Sequence, residues 1–156
     1  MGKIYQFMVT ATPTIDTNIY ASGDLIGDKM TFTFPDKWKD HPTGSVFGVD
    51  ILDKDKQGAN VTLILFSTNP SNSTFTNNAA LAIHATDLPY ATVKIPITSH
   101  VSFSANGISY SDNIKKLLQG TPDGLVYGVI QSNGTPTYTT TTSLTVRLFV
   151  EADQSN

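Results

Sequence analysis

The sequence predicts an all-β protein: a β-sandwich, jelly-roll-like, of about nine short strands with one or two short helices. Apolar and polar residues alternate over short segments, which is the period of a strand with one buried face. Only 15% of the residues are charged, and Thr, Ser and Asn supply much of the polarity. Because Thr favours strands and Asn and Ser favour turns, this composition also indicates a β protein.

The segment 46–66 is predicted to form the centre of the core. Its two apolar arms, 46–53 and 61–66, flank a polar turn that contains Gly58, which predicts a hairpin with a longer loop. The second arm is almost entirely apolar, so we expect it in the middle of a sheet with both faces covered.

Seven further strands are predicted from alternating patterns or apolar runs between turn residues: 4–10, 29–34, 91–97, 101–104, 108–110, 125–131 and 144–150. In the first of these, Tyr5, Phe7 and Val9 share one face. Asn106-Gly107 predicts a tight hairpin turn.

Two short helices are expected. One lies around residues 79–83. The other covers residues 112–119, where Asp112 provides an N-terminal cap and Gly120 a stop.

The length of 156 residues predicts a single domain, over residues 1–150, followed by a flexible tail at 151–156. The Thr-rich segment 134–143 is either a loop, an outward extension of a hairpin, or an arm ordered by a partner. With no cysteine and no signal peptide in its pattern, the chain fits synthesis in a reducing host cytoplasm.

Charge and hydropathy argue against two classes of partner. A formal net charge of −3 gives no basic footprint for nucleic acid. Apolar runs in the sequence are too short for a membrane-spanning helix.

The motifs that could carry chemistry are weak. Residues 53–58 begin like a calcium loop, but Ile64 stands where such a loop requires a bidentate Glu, so we interpret the segment as a turn. The three histidines have no metal-ligand spacing: His41, His84 and His100. His84 and Asp87 form the only sequence-local pair for a small hydrolase. We therefore expect no enzyme, no cofactor and no metal site.

Three residues are candidates for contact with a partner. Trp38 lies in the charged loop 36–40, where it either covers the end of the core or serves as an exposed binding anchor. Tyr138 and Thr139 lie at the centre of the Thr-rich segment.

The stretch from Val9 to Gly27, with the segments 49–54, 63–66 and 78–80, resembles small β-rich virion proteins of tailed bacteriophages. The similarity covers roughly the first two thirds of the chain and includes no catalytic motif. The resemblance implies a capsid decoration (cement) protein on the head surface of the virion. Its partners would be the major capsid protein and copies of itself, often as a homotrimer.

The alternative hypothesis is a receptor- or carbohydrate-binding module of a phage tail fibre or baseplate. Exposed aromatic residues lining one groove would favour that module. A large, flat apolar patch would favour decoration.

Overall fold

The computed structural model describes residues 3–154, and within them nine strands form two antiparallel sheets. The strands are β1 (Lys3–Ala11), β2 (Leu25–Thr33), β3 (Thr43–Asp53), β4 (Val61–Phe66), β5 (Ala91–Ile97), β6 (Ser99–Ser102), β7 (Gly107–Gln119), β8 (Leu125–Ser132) and β9 (Leu144–Gln154). A short helix, α1 (Asp36–Lys39), and a 3₁₀ turn at Leu88–Tyr90 complete the described elements. None of the helices in this part of the chain has the length and hydropathy to cross a membrane.

The strand order is that of a jelly roll. One sheet has the order β1-β9-β3-β7-β6 and the other has the order β2-β8-β4-β5. The first four strands alternate between the two sheets, and the last strand inserts beside the first. Apart from the short β6, this gives two four-stranded layers of the kind found in jelly rolls. The predicted all-β sandwich is confirmed.

The core between the sheets follows the predicted alternation. In β5, Val93, Ile95 and Ile97 are buried between exposed neighbours. In β1, Val9 is buried and Tyr5 and Phe7 are partly buried, while the intervening side chains are exposed. The pattern of period two is therefore confirmed for both strands.

The predicted hairpin between β3 and β4 is wrong, because the two strands lie in different sheets. The turn after β3 leads the chain across the sandwich. There the Asp53 carboxylate accepts hydrogen bonds from the backbone N–H groups of Asp55, Gln57 and Gly58 at 2.7–3.1 Å. The expectation for β4 itself is confirmed, since it lies inside its sheet with nearly every residue buried.

Both predicted helices are wrong. Residues 112–119 belong to β7, whose end pairs with Thr43–Val46 of β3, and Leu118 is buried while Leu117 is exposed. Pairing with a distant strand has overridden the local helical pattern. Ala80, in the other predicted helix, forms an isolated bridge to Asp24. The helix α1 lies instead in a segment predicted as a loop.

The two chain ends of the described region pair with each other. β9 continues to Gln154, and residues 151–154 lie opposite residues 3–6 of β1. The expected flexible tail is therefore a paired strand as far as residue 154, because β1 supplies backbone partners. Residues 155–156 lie outside the described residues. The predicted hairpin between β6 and β7 is confirmed, but its turn lies at residues 103–106, where the Phe103 N–H donates to the Asn106 carbonyl at 2.7 Å, and Gly107 already pairs with Ser102 in the ladder.

Candidate interaction surface

The outer face of the four-stranded sheet is covered by the chain itself. Leu25, Ile64, Phe66 and Val129 point away from the main core but are buried. The loop 67–90 covers them with partly buried apolar side chains, among them Phe75, Leu81 and Ile83. The sheet face and the covering loop together form a second, smaller hydrophobic core.

A single carboxylate fixes that covering loop. Asp87 is 2% exposed and accepts hydrogen bonds from the Asn72 N–H at 3.0 Å, the Asn72 Nδ2 at 3.1 Å and the Ser73 Oγ at 2.7 Å. Desolvation alone would raise the pKa of Asp87, but these hydrogen bonds outweigh it and lower the pKa. The His84 ring pairs with Thr86, and only its backbone carbonyl accepts from the Asp87 N–H. The side chains of His84 and Asp87 thus hydrogen-bond to different partners and not to each other.

The outer face of the five-stranded sheet carries apolar side chains that the described residues leave exposed. Ile4 is 66% exposed, Met8 57%, Phe47 37% and Leu117 73%. Phe149 lies between them, opposite Met8 in register, with its ring 6.3 Å from that of Phe47. We call these five residues the open face.

A bulge in β3 enlarges the open face. The register to both neighbouring strands shifts between Val46 and Gly48. Val46 and Val49 point into the core, so Phe47 and Gly48 both lie on the outer side. A Cβ at Gly48 would stand 3.4 Å from the Phe149 ring, so glycine lets that ring lie close over the strand.

An ion pair lies beside the aromatic residues of the open face. Arg147 Nη2 donates to Asp50 Oδ2, and the guanidinium lies 5.8 Å from the centre of the Phe149 ring. Arg147 Nε is buried and has no hydrogen-bond partner among the described residues. The Arg147–Asp50 ion pair therefore places charged atoms next to the aromatic side chains of the open face.

Two shallow depressions flank the open face. One, of about 280 Å³, lies between Leu52, Ile108 and the exposed Phe103. The other, of about 360 Å³, lies between Ile4 and Leu117 and is also lined by the charged side chains of Lys115 and Glu151. Both are open to solvent on one side, so the surface as a whole is suited to a broad contact.

Two of the three predicted partner contacts lie inside the protein. Trp38 is fully buried: α1 turns its ring inward, where it stacks on Phe34 with ring centres 4.4 Å apart. Tyr138 is 3% exposed and packs edge-on against Tyr20 at 6.1 Å. Burial raises the pKa of Tyr138, and the nearby charge of Asp53 adds to this effect. Within the folded domain both rings pack in the core, so Trp38 follows the core-covering alternative, and the expectation that Tyr138 lies at a partner surface is corrected.

The third, Thr139, is exposed but engaged within the chain. Its N–H and Oγ1 both donate to the Asp55 carboxylate, at 2.9 and 2.5 Å. Desolvation opposes ionisation of Asp55, but hydrogen bonds including these lower its pKa.

The Thr-rich segment is likewise bound to the domain rather than extended as an arm. The backbone carbonyls of Pro136 and Thr141 accept hydrogen bonds from the N–H groups of Tyr20 and Ile15, at 3.0 and 3.1 Å. Residues 134–143 therefore lie along residues 15–20. The burial of Tyr138 fixes the segment further, so of the alternatives above the structure supports a packed loop.

His100 lies in β6 rather than in a loop. Its Nδ1 is 2.8 Å from Ser109 Oγ, and its Nε2 is 3.0 Å from Asn60 Oδ1. Ser109 is 5% exposed, and the three residues connect β6 and β7 to the β3–β4 loop. Among the described residues, no cluster of three or more His, Cys, Asp or Glu could hold a metal ion.

Comparison with known proteins gives little. No protein-family model matches the chain, and no curated protein matches it. A chain of the crystal structure of tomato aspermy virus is similar to this chain, with a TM-score of 0.43 and 13% sequence identity. The match covers 99% of this chain and 78% of that chain. Family membership is thus still a prediction, and the jelly-roll assignment is based on the strand order.

Proposed function

We propose that this protein is a non-enzymatic capsid decoration (cement) protein of tailed-phage type. It binds the major capsid protein on the head surface through the open face and stabilises the particle through contacts between copies. The observation that carries the proposal is the open face itself. Several large apolar side chains exposed on one face of a folded domain indicate a site of protein interaction.

The contrast between the two sheets strengthens this argument. The four-stranded sheet has its outer face covered by the loop 67–90 of the same chain. The five-stranded sheet presents Leu117 and Ile4, both more than 60% exposed, without comparable cover from the described residues. A partner protein would supply that cover.

The fold agrees with a virion role at the level of analogy. Jelly rolls form the coat domains of many viruses, although the same fold also serves lectins and enzymes. The packed interior is suited to a rigid structural part. Two groups of the kind that hydrolases use have structural contacts here: the Asp87 carboxylate fixes a loop, and Ser109 beside His100 is buried. We therefore propose no catalytic role.

One observation favours the alternative, a receptor- or carbohydrate-binding module of a tail fibre or baseplate. Phe103 is 51% exposed beside the smaller depression. A sugar ring could stack there. The broad form of the open face favours the decoration role over this one, because a carbohydrate site is a groove lined by several aromatic side chains.

The test is to locate the protein on intact phage particles by immunogold labelling, with matched variants supplied in trans. We expect label over the head. Leu117→Lys should reduce incorporation at least about tenfold, equivalent to about 1.4 kcal/mol, because it places a charge in the contact. Leu88→Lys is the control, since Leu88 is also 57% exposed but lies in the covering loop of the other sheet.

The result also separates the alternatives. Label confined to the tail tip would support the receptor-binding module and reject decoration. Equal incorporation of the two variants would reject the open face as the contact surface.

A further inference from the structure

The two sheets have four edge strands, and three of them are protected against pairing with another chain. β5 carries Pro96, which cannot donate a backbone hydrogen bond, and the exposed charge of Lys94. β6 is only four residues long. β2 starts against the loop 77–81, where Leu25 exchanges backbone hydrogen bonds with Asn78 and Ala79 at 3.0 and 2.8 Å. Short edges, proline, lysine and covering loops are the usual protections.

The fourth edge, β1, lacks these protections. It is nine residues long and pairs with β9 in continuous register from Lys3 to Ala11. Its sequence contains neither proline nor glycine, and its one charged side chain, Lys3, is at the end. Within the described residues, no backbone hydrogen bond joins β1 to a segment other than β9. Every second N–H and C=O along its free side is thus available to another strand.

The side chains of β1 are symmetric in character about Gln6. Aromatic rings stand one position away on either side, at Tyr5 and Phe7. Large flexible aliphatic side chains stand two positions away, at Ile4 and Met8, and both are more than half exposed. A two-fold contact requires such self-complementarity, because each residue meets the counterpart of its mirror position.

We propose that β1 pairs antiparallel with β1 of a second copy of this chain, about a two-fold axis through Gln6. The pairing joins the two five-stranded sheets into one continuous sheet. Ile4 then lies opposite Met8 of the second copy, and Tyr5 lies opposite Phe7 of the second copy. The two Gln6 side chains face each other; each Nε2 donates one N–H to Glu151 of its own chain at 3.3 Å, which leaves its second N–H and its amide oxygen for the other copy. The two open faces also become a single surface, because Ile4 and Met8 belong to both features.

A second copy fits this edge better than an unrelated strand does. An extended peptide would gain the main-chain hydrogen bonds, but the symmetric order of side chains about Gln6 would be superfluous. The inference goes beyond the proposed function and is independent of it, since it concerns the protein alone in solution. It also predicts a two-fold dimer in place of the trimer implied by the phage resemblance.

The first test uses the absence of cysteine from the sequence. In the proposed register, residue 6 faces itself across the axis with about 4.5–5.5 Å between Cα atoms, within the range of a disulfide. Gln6→Cys should therefore form a disulfide-linked dimer under mild oxidation, seen on non-reducing gels. Thr10→Cys is the control on the same strand. Its two thiols would lie about 27 Å apart in this register and should not cross-link.

The second test uses the opposition of residues 4 and 8. The variant Ile4→Lys with Met8→Lys places like charges opposite each other and should be monomeric. The variant Ile4→Lys with Met8→Glu loses the same apolar pairs but places opposite charges together, and should retain the dimer. Sedimentation equilibrium should show at least a tenfold difference in dimer dissociation constant between them. Both positions are exposed, so circular dichroism should show both variants folded.

Three outcomes would overturn the proposal: a wild-type monomer or trimer in sedimentation, cross-linking of Thr10→Cys as fast as Gln6→Cys, or identical association of the two charge variants. None of these measurements involves phage particles. Leu117→Lys, which tests the open face, should leave the dimer intact because Leu117 lies on β7, away from the β1 edge.

Discussion

Asp87 shows how one side chain can fix a long loop. Its carboxylate accepts three hydrogen bonds from Asn72 and Ser73, and so holds the loop 67–90 over the outer face of the four-stranded sheet. The ionised form is the better acceptor, which is why its pKa is lowered. A carboxylate with a lowered pKa in the folded state contributes stability above its unfolded pKa. That contribution is lost as the pH falls through the folded value.

We therefore expect Asp87→Ala to lower the melting temperature by several degrees at neutral pH. The difference from wild type should shrink as the pH falls below about 4 and disappear once Asp87 is protonated in both states. Calorimetry across this pH range measures it. Asp112→Ala, which removes an exposed carboxylate on β7, is the control and should leave the melting temperature nearly unchanged. A decrease in melting temperature for Asp87→Ala that stays the same at every pH would contradict this explanation.

Tyr138 shows what prediction at the scale of single residues misses, and Trp38 shows what it leaves undecided between a buried and an exposed position. Both occur in polar segments, and polarity of the neighbours is a local signal for exposure. Their burial depends on partners distant in sequence: Phe7 beside Trp38, and Tyr20 beside Tyr138. No pattern within either segment reports those partners.

At the scale of elements, the predictions succeeded where the signal is local. β1 and β5 were found from alternation, and the β6–β7 hairpin from Asn106-Gly107. The β3–β4 hairpin and the helix at 112–119 failed, because the pairing of β3 with β7 and β9 brings together segments far apart in sequence. The open face is partly predictable, since Ile4 and Met8 alternate with the core residues of β1. The contribution of Leu117 requires the register of β7, which the sequence does not reveal.

The close approach of β3 and β9 near α1 can be tested at Gly44. A Cβ there would stand 2.5 Å from the Glu151 carbonyl oxygen and 3.0 Å from the Trp38 ring. Since backbone cannot yield as a flexible side chain does, Gly44→Ala should destabilise the protein by about 1–3 kcal/mol. Urea unfolding measures the change. At Gly134 the nearest atom is 3.9 Å from the added Cβ, so Gly134→Ala should stay within about 0.5 kcal/mol. Equal effects of the two substitutions would rule out the clash.

At the scale of the whole molecule, the fold depends on pairing between distant parts of the chain. β9 stands between β1 and β3 and connects them into one sheet. The five-stranded sheet therefore requires the last strand. Folds with such non-local pairing also fold more slowly than helical proteins of similar size.

A chain ending at Ser143 should consequently fail to fold cooperatively. It keeps most of the core residues but loses five from β9, and β1 has no neighbour left. The five are Leu144, Val146, Leu148, Val150 and Ala152. We expect a broad thermal transition by circular dichroism and poor dispersion in the amide region of the NMR spectrum. A sharp, reversible transition in the truncated chain would show that β9 is dispensable.

The adjacency of β1 and β9 has a mechanical consequence. Residue 3 lies opposite residue 154 in an antiparallel pair, so a force that separates these two positions acts across the hydrogen bonds at one end of the ladder. Bonds loaded in this way break one after another, as a zipper opens. A load applied at Ala11 and Gln154, at opposite ends of the same pair, would instead act along the strands and strain all of the bonds together. The sandwich is therefore expected to be mechanically anisotropic, weak to peeling at residues 3 and 154 and resistant to shear along the same two strands.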